Sequence, residues 1–217
     1  MESKRFLEEL DAMVAARLER IGAASATGPA ENIGVRELLI TALKKELEAT
    51  EEAALWITSE TDVDVKLALA RQCGDEARHY RLIEERLREM GADTAKIAPF
   101  SDGHSPMFTY LASLQTTVER VAAGQYAREG LAKVYNEVFI QFCVAHGDER
   151  TAALYRDVIQ PDEGHHHSLG RKLLSRLATT PEAQDLARRS AARTLEIAEE
   201  IQEMVRLEKG ISCAPGC

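Results

Sequence analysis

Two short stretches carry the residues most suited to chemistry: DEARHY at 75–80 and DEGHHH at 162–167. Both begin Asp-Glu, and both set a histidine three residues after the glutamate. On a helix, side chains three apart point the same way. Glu76 with His79, and Glu163 with His166, therefore each aim a carboxylate and an imidazole in one direction. Mixed oxygen and nitrogen donors of this kind suit a divalent metal, and iron in particular when coordination positions stay open.

The surrounding pattern says which way they point. Val65, Leu69, Cys73, Glu76, His79, Ile83 and Leu87 fall on one helical stripe, while Asp75, Arg78 and Glu85 fall elsewhere. Ile159, Glu163, His166, Gly170, Leu174 and Leu177 form the matching stripe later in the chain. His165 falls on the opposite side, and His167 at the margin, where it would replace or support His166. An ionisable group on an apolar stripe is costly unless it is paired or metal-bound.

Two neighbouring segments each offer one inward acid. Leu39, Ala42, Glu46, Ala49, Ala53 and Trp56 share a stripe, with Lys44, Lys45, Glu48, Glu51 and Glu52 away from its centre. Val118, Ala122, Gln125, Glu129, Asn136, Ile140 and Cys143 share another. Glu129 is the preferred acid there. Glu137, about 80° round the helix at ~100° per residue, is the second choice. The separations 76−46 = 30 and 163−129 = 34 are similar. At ~1.5 Å rise per residue, that places all four acids at one level of a bundle.

Four carboxylates and two imidazoles in an apolar core would shift their pKa values toward neutrality unless something compensated them. Two divalent ions cancel four negative charges, and one histidine completes each shell. The plainer alternative is a pair of buried Glu–His ion pairs. A single Glu-x-x-His is a weak signal, whereas two in matching positions, each facing an inward Glu, are a strong one.

The elements that must hold these residues are helices throughout. Spacings of three and four predict helices at 2–21, 35–59, 62–90, 106–146, 148–178 and 181–208, with no strand pattern. Thr180 and Pro181 are suited to the N-cap and first position of the last helix. Pro161 interrupts its helix two residues before Glu163 and predicts a kink or widened turn. The middle four helices make two antiparallel hairpins, each with one motif on its second helix, in the manner of an internal two-fold repeat. The tail GISCAPGC is expected to fray, and Cys213 and Cys217 carry only a weak metal or redox signal. The whole of 1–217 reads as one domain, with its core at about 35–178 and flanking helices at 2–21 and 181–208.

Composition agrees. The chain has 217 residues, 45% hydrophobic and 29% charged, with few aromatics. A net charge of −9 without a basic tract makes nucleic acid a poor partner. No run reaches the length of a membrane span. The opening MESKRFLEEL has no apolar stretch of secretory type, and four cysteines do not make a disulfide framework. A reducing cytoplasm is the expected setting.

With these motifs the chain resembles the ferritin-like di-iron carboxylate proteins, in which two helices give one Glu each and two give Glu-x-x-His. DEARHYRLIEERL is particularly similar to the corresponding helix of ribonucleotide reductase small subunits and their relatives. The resemblance covers roughly 35–178. It implies an all-α ferritin-like four-helix bundle with additional N- and C-terminal helices. It assigns Glu46, Glu76 and His79 to one iron and Glu129, Glu163 and His166 to the other, with Glu76 and Glu163 able to bridge. Manganese also suits one position.

The activity so implied is that of an oxidase or oxygenase. It would take O2 and a small organic substrate, and draw electrons from a reductase. Relatives include tRNA hydroxylases, although the acidic surface disfavours tRNA. Leu39, Leu69, Ile83, Val118, Ala122 and Ile159 are candidate substrate-pocket walls, and Ala42, Ala49 and Gly170 would leave space. The alternatives are iron oxidation and storage, peroxide scavenging of the rubrerythrin type, or a non-catalytic helical scaffold. Storage ferritins lack the flanking helices, and rubrerythrins add an iron–sulfur domain missing here. A small homo-oligomer is expected.

Overall fold

A computed structural model describes residues 2–25, 33–209 and 215–216. Among the described residues there are seven helices and no strand. Helix α1 is Glu2–Ser25, α2 is Val35–Ser59 and α3 is Val63–Glu89. A 3-10 turn at Thr94–Lys96 leads to a short α4, Pro106–Ala112. Helix α5 spans 117–145, α6 spans 149–177, and α7 is Pro181–Lys209.

The helix ends follow from local chemistry. Asp62 caps α3 by accepting a hydrogen bond from Val65 N, and Asp148 caps α6 through Thr151 N. Thr180 Oγ1 accepts from Ala183 N, as the Thr-Pro pair predicts. Gly147, at φ +74°, takes the left-handed conformation between α5 and α6 that glycine adopts without strain.

Two expected boundaries need correction. The first helix runs on to Ser25 rather than ending near 21. The helix expected at 106–146 is really two, separated at 113–116. The break has a physical cause. Thr116 accepts from Glu119 N while Glu119 Oε2 accepts from Thr116 N, a capping box that starts a new helix. Of the expected loop at 22–34, residues 26–32 lie outside the described residues.

Helices α2 and α3 pack together as one hairpin and α5 and α6 as another, with α3 also against α6. Helix α7 lies along the first half of α5, and α1 covers α5, α6 and α7. The apolar interior divides in two. One cluster gathers Trp56, Leu69, Leu111, Ala122, Leu174 and α1 residues such as Leu10. The other gathers Leu39, Leu43, Ile83, Leu87, Phe139 and Tyr155. Along α2, α3 and α6 the inward polar residues fall between the two clusters. The bundle thus holds a polar layer sandwiched between apolar ones.

Helices α5 and α6 are both wound more loosely just before that layer. Residues Val121–Arg128 of α5 and Tyr155–Ile159 of α6 form π-helical turns. The α6 turn stands immediately ahead of Pro161, whose missing N–H removes one helical hydrogen bond. Each widened turn ends within a few residues of an inward acid, Glu129 or Glu163. No helix among the described residues is long and apolar enough to cross a membrane.

Candidate metal centre

Glu46, Glu76, His79, Glu129, Glu163 and His166 come together in the polar layer, and each is almost completely buried. They form two overlapping groups. Glu46, Glu76, His79 and Glu163 make one, and Glu76, Glu129, Glu163 and His166 the other. Within each group the ligand-type atoms lie within 4.8 Å of one another, close enough to hold a metal ion. Glu76 and Glu163 belong to both.

The shared carboxylates straddle the two groups atom by atom. Glu76 Oε2 lies 3.2 Å from His79 Nδ1, and its Oε1 lies 3.5 Å from His166 Nδ1. Glu163 Oε1 lies 3.6 Å from His79 Nδ1, and its Oε2 lies 3.9 Å from His166 Nδ1. The unshared acids face one histidine each. Glu46 Oε2 is 3.4 Å from His79 Nδ1, and Glu129 Oε2 is 3.4 Å from His166 Nδ1.

Both imidazoles turn Nδ1 inward and Nε2 outward. His79 Nε2 meets Asp162 Oδ2 at 3.1 Å, and His166 Nε2 meets Asp75 Oδ2 at 3.1 Å. A carboxylate only accepts, so Nε2 carries a proton. In the neutral ring, Nδ1 then keeps its lone pair for a ligand. Each aspartate belongs to the opposite motif from the histidine it serves. Arg78 pairs with Asp162, and Arg71 Nε stands 3.3 Å from Asp75 Oδ2.

Sequence reasoning missed this outer layer. Asp75 points away from its own helix's stripe, as expected, but lands on α6. It missed Gln72 as well, one turn before Glu76. The buried Gln72 amide donates to Glu129 Oε1. Glu48 and Glu52, away from the centre of the α2 stripe, are buried too. Glu48 accepts from Ser105 N and Oγ, and Glu52 pairs with Arg128. Their partners come from distant segments, which α2's own periodicity could not reveal.

The second-choice residues stand outside the cluster. Glu137 is exposed and accepts from Gln141. His167 stacks on the Tyr126 ring with centroids 4.9 Å apart, and its Nδ1 is 2.7 Å from the Tyr126 carbonyl oxygen. Of the expected pocket walls, Leu39, Leu69, Ile83, Ala122 and Ile159 are buried, and Val118 is half-buried. Gly170 leaves no space. A Cβ there would lie 2.6 Å from the Gln125 carbonyl oxygen, so the missing side chain lets α6 press on the widened turn of α5.

Without metal, protons do the neutralising. Burial, reinforced by Glu76, lifts Glu46 to about 7. Burial and the charges of Glu76 and Glu129 lift Glu163 well above the carboxylate range. Burial also opposes ionisation of Glu76, but hydrogen bonds with His166 and His79 together outweigh it and hold Glu76 low. Glu129 is held low against burial by Glu163 and His166. The imidazoles move the other way. Burial disfavours their charge, yet Glu46 and Glu76 push His79 up to about 12, and Glu129, Glu163 and Glu76 raise His166 strongly.

The donor set fits a metal better than it fits protons alone. Both oxygens of Glu46 are buried without a hydrogen bond, an expensive state for a carboxyl group. Ions in the two groups would coordinate these oxygens and offset the charge of the acids.

Compared with known proteins, the chain matches no family model, no characterised protein and no solved structure.

Proposed function

We propose that the chain is a ferritin-like non-haem di-iron oxidase or oxygenase that uses O2 to oxidise a small organic substrate. One observation carries this reading: two Glu-rich groups with one histidine each, sharing Glu76 and Glu163 at the level of individual oxygens. Glu46, Glu76, His79 and Glu163 would hold one ion, and Glu76, Glu129, Glu163 and His166 the other. Carboxylate oxygen with a single nitrogen per ion suits iron or manganese, and disfavours the thiol-rich shells of structural zinc. Bound iron would supply the electrons that reduce O2.

The chain's own residues do the rest. Asp75 and Asp162 fix ring orientation and tautomer of His166 and His79. Gln72 donates to Glu129 Oε1 and so orients that carboxylate. The apolar clusters on either side keep water away and raise the strength of every charge interaction between them. Glu46, Glu163 and the Nδ1 atoms of His79 and His166 hold the protons that must leave when metal enters. Electrons for repeated turnover would come from a separate reductase.

The test is anaerobic titration with ferrous iron followed by air. The expected result is two ions per chain, oxidation of both, then a stall until reductant is added. Continued uptake to hundreds of ferric ions in a large shell would assign the chain to iron storage. Repeated peroxide consumption with a rubredoxin-type donor would make it a peroxidase. No uptake at all would leave a helical scaffold.

A further inference from the structure

Of the C-terminal tail at 210–217, expected to fray, residues 210–214 and 217 lie outside the described residues, and Pro215 and Gly216 lie near the centre. Pro215 and Gly216 are both buried. Gly216 N donates to Asn136 Oδ1 at 2.9 Å. Asn136 is fully buried two turns beyond Glu129 on α5, and its Nδ2 has no hydrogen bond. On the other side, the Gly216 backbone lies against α2. A Cβ built on Gly216 would stand 2.5 Å from Glu46 Oε1 and 3.4 Å from Lys45 Cβ. The residue also has φ +93°, which side chains rarely tolerate. Glycine is thus required twice at this position, by space and by backbone conformation.

We propose that Pro215–Gly216 is a strap seated between α2 and α5 that closes the Glu46 side of the centre and limits entry to it. The inference rests on the metal reading above. Its physical basis is the contact itself: the strap's backbone lies over an oxygen of Glu46 that no hydrogen bond satisfies. An ion approaching from that side meets the peptide before the carboxylate. Local opening that breaks the Gly216 N–Asn136 Oδ1 bond uncovers Glu46 Oε1. Entry then proceeds at the intrinsic rate multiplied by the open fraction. The strap is a brake on loading, not a permanent plug.

The experiment compares three chains: full length, one ending at residue 209, and full-length Gly216→Val. The probe is cobalt(II) alone, followed by stopped-flow visible absorption. The expected result is equal final stoichiometry, with loading about tenfold faster in the truncated and Gly216→Val chains, the change expected on releasing a seat that is closed about nine-tenths of the time. A synthetic peptide of residues 210–217 should slow the truncated chain again. Gly216→Val keeps Cys213 and Cys217, so its faster loading separates release of the strap from loss of thiols. Equal rates in all three chains would overturn the proposal. Hydrogen exchange of the C-terminal peptide, measured without metal, reads the seat directly. Protection in the full chain that disappears in Gly216→Val supports it, and equally fast exchange in both overturns it. Failure of every chain to bind cobalt would overturn the metal reading, and the strap's gating role with it. Protected exchange in that case would still establish the seat.

Discussion

Asp162 Oδ2 stands 3.1 Å from His79 Nε2, although the two residues are 83 positions apart. Asp75 makes the same contact with His166. The repeated Asp-Glu thus has a structural meaning. In each motif the glutamate is shared by both clusters, while the aspartate crosses to the other hairpin and braces the other histidine. The two halves cannot build their histidine ligands separately.

This exchange predicts crossed effects. Asp162→Ala should weaken the ion next to Glu46 and His79, and Asp75→Ala the ion next to Glu129 and His166. Loss of such a partner typically costs about 10–100-fold in metal affinity. Two-site cobalt(II) titration with each variant checks it. Weakening of the ion beside the variant's own motif, with the other untouched, would contradict the crossing. Asp→Asn should be milder than Asp→Ala, because its carbonyl oxygen still accepts from Nε2.

Shared and unshared carboxylates should behave differently. Glu76→Ala and Glu163→Ala each remove a group that lies in both clusters, so both ions should be lost or greatly weakened. Glu46→Ala should remove one ion and leave the other. Metal content by elemental analysis after ferrous loading distinguishes them. Retention of both ions in Glu76→Ala would refute the sharing.

Stability of the metal-free chain should fall as pH rises from about 5 to 9. Glu46 and Glu163 bind protons more tightly folded than unfolded, so their contribution is present at low pH and lost as pH rises. For Glu46 that loss runs from the ordinary 4.5 to about 7. His79, raised from 6.5 to about 12, contributes fully below 6.5 and loses that contribution progressively above it. His166 acts in the same sense. Glu76 and Glu129, lowered, add stability above 4.5 and lose it only in acid, outside this range. Each proton held in excess by the folded state contributes a slope of about 1.4 kcal/mol per pH unit. Metal displaces those protons, so the gain in Tm on adding cobalt(II) should grow with pH. Thermal melts with and without cobalt test both trends, and a metal-free Tm that rises over this range would count against the assigned protonation.

Much of this arrangement was legible in the chain. Each of the six residues of the cluster interrupts an apolar stripe, although periodicity left Glu137 and His167 as second choices beside Glu129 and His166. The layer behind them was not legible, for a physical reason. Asp75 and Asp162 are off-stripe residues whose partners lie on another hairpin, and no local pattern encodes a contact 83 or 91 residues away. The break at 113–116 could have been read, since Thr116 and Glu119 have capping-box spacing inside an otherwise continuous apolar pattern. The widened turn at Tyr155–Ile159 was foreshadowed by Pro161, but that at Val121–Arg128 has no proline and no comparable signal. The strap at Pro215–Gly216 depends on two residues in a tail of low apolar content, where periodicity has nothing to report.

Two glycines in helices should respond oppositely to alanine. Gly74, inside α3, has no atom within 4 Å of a prospective Cβ. Gly74→Ala should therefore stabilise the chain by up to about 1 kcal/mol through helix propensity alone. Gly170, inside α6, would place its Cβ 2.6 Å from the Gln125 carbonyl oxygen and 2.9 Å from Tyr126 N. Those are backbone atoms of the widened turn and cannot rotate away. Gly170→Ala should destabilise by roughly 1–3 kcal/mol, the usual cost of overpacking. The same shift would push the 121–128 turn, which runs directly into Glu129. Gly170→Ala should consequently weaken the ion beside Glu129 and His166 more than the one beside Glu46. Urea unfolding gives the two stability changes, and the two-site cobalt titration gives the selectivity. A neutral Gly170→Ala would mean that α6 and the widened turn of α5 do not approach this closely in solution.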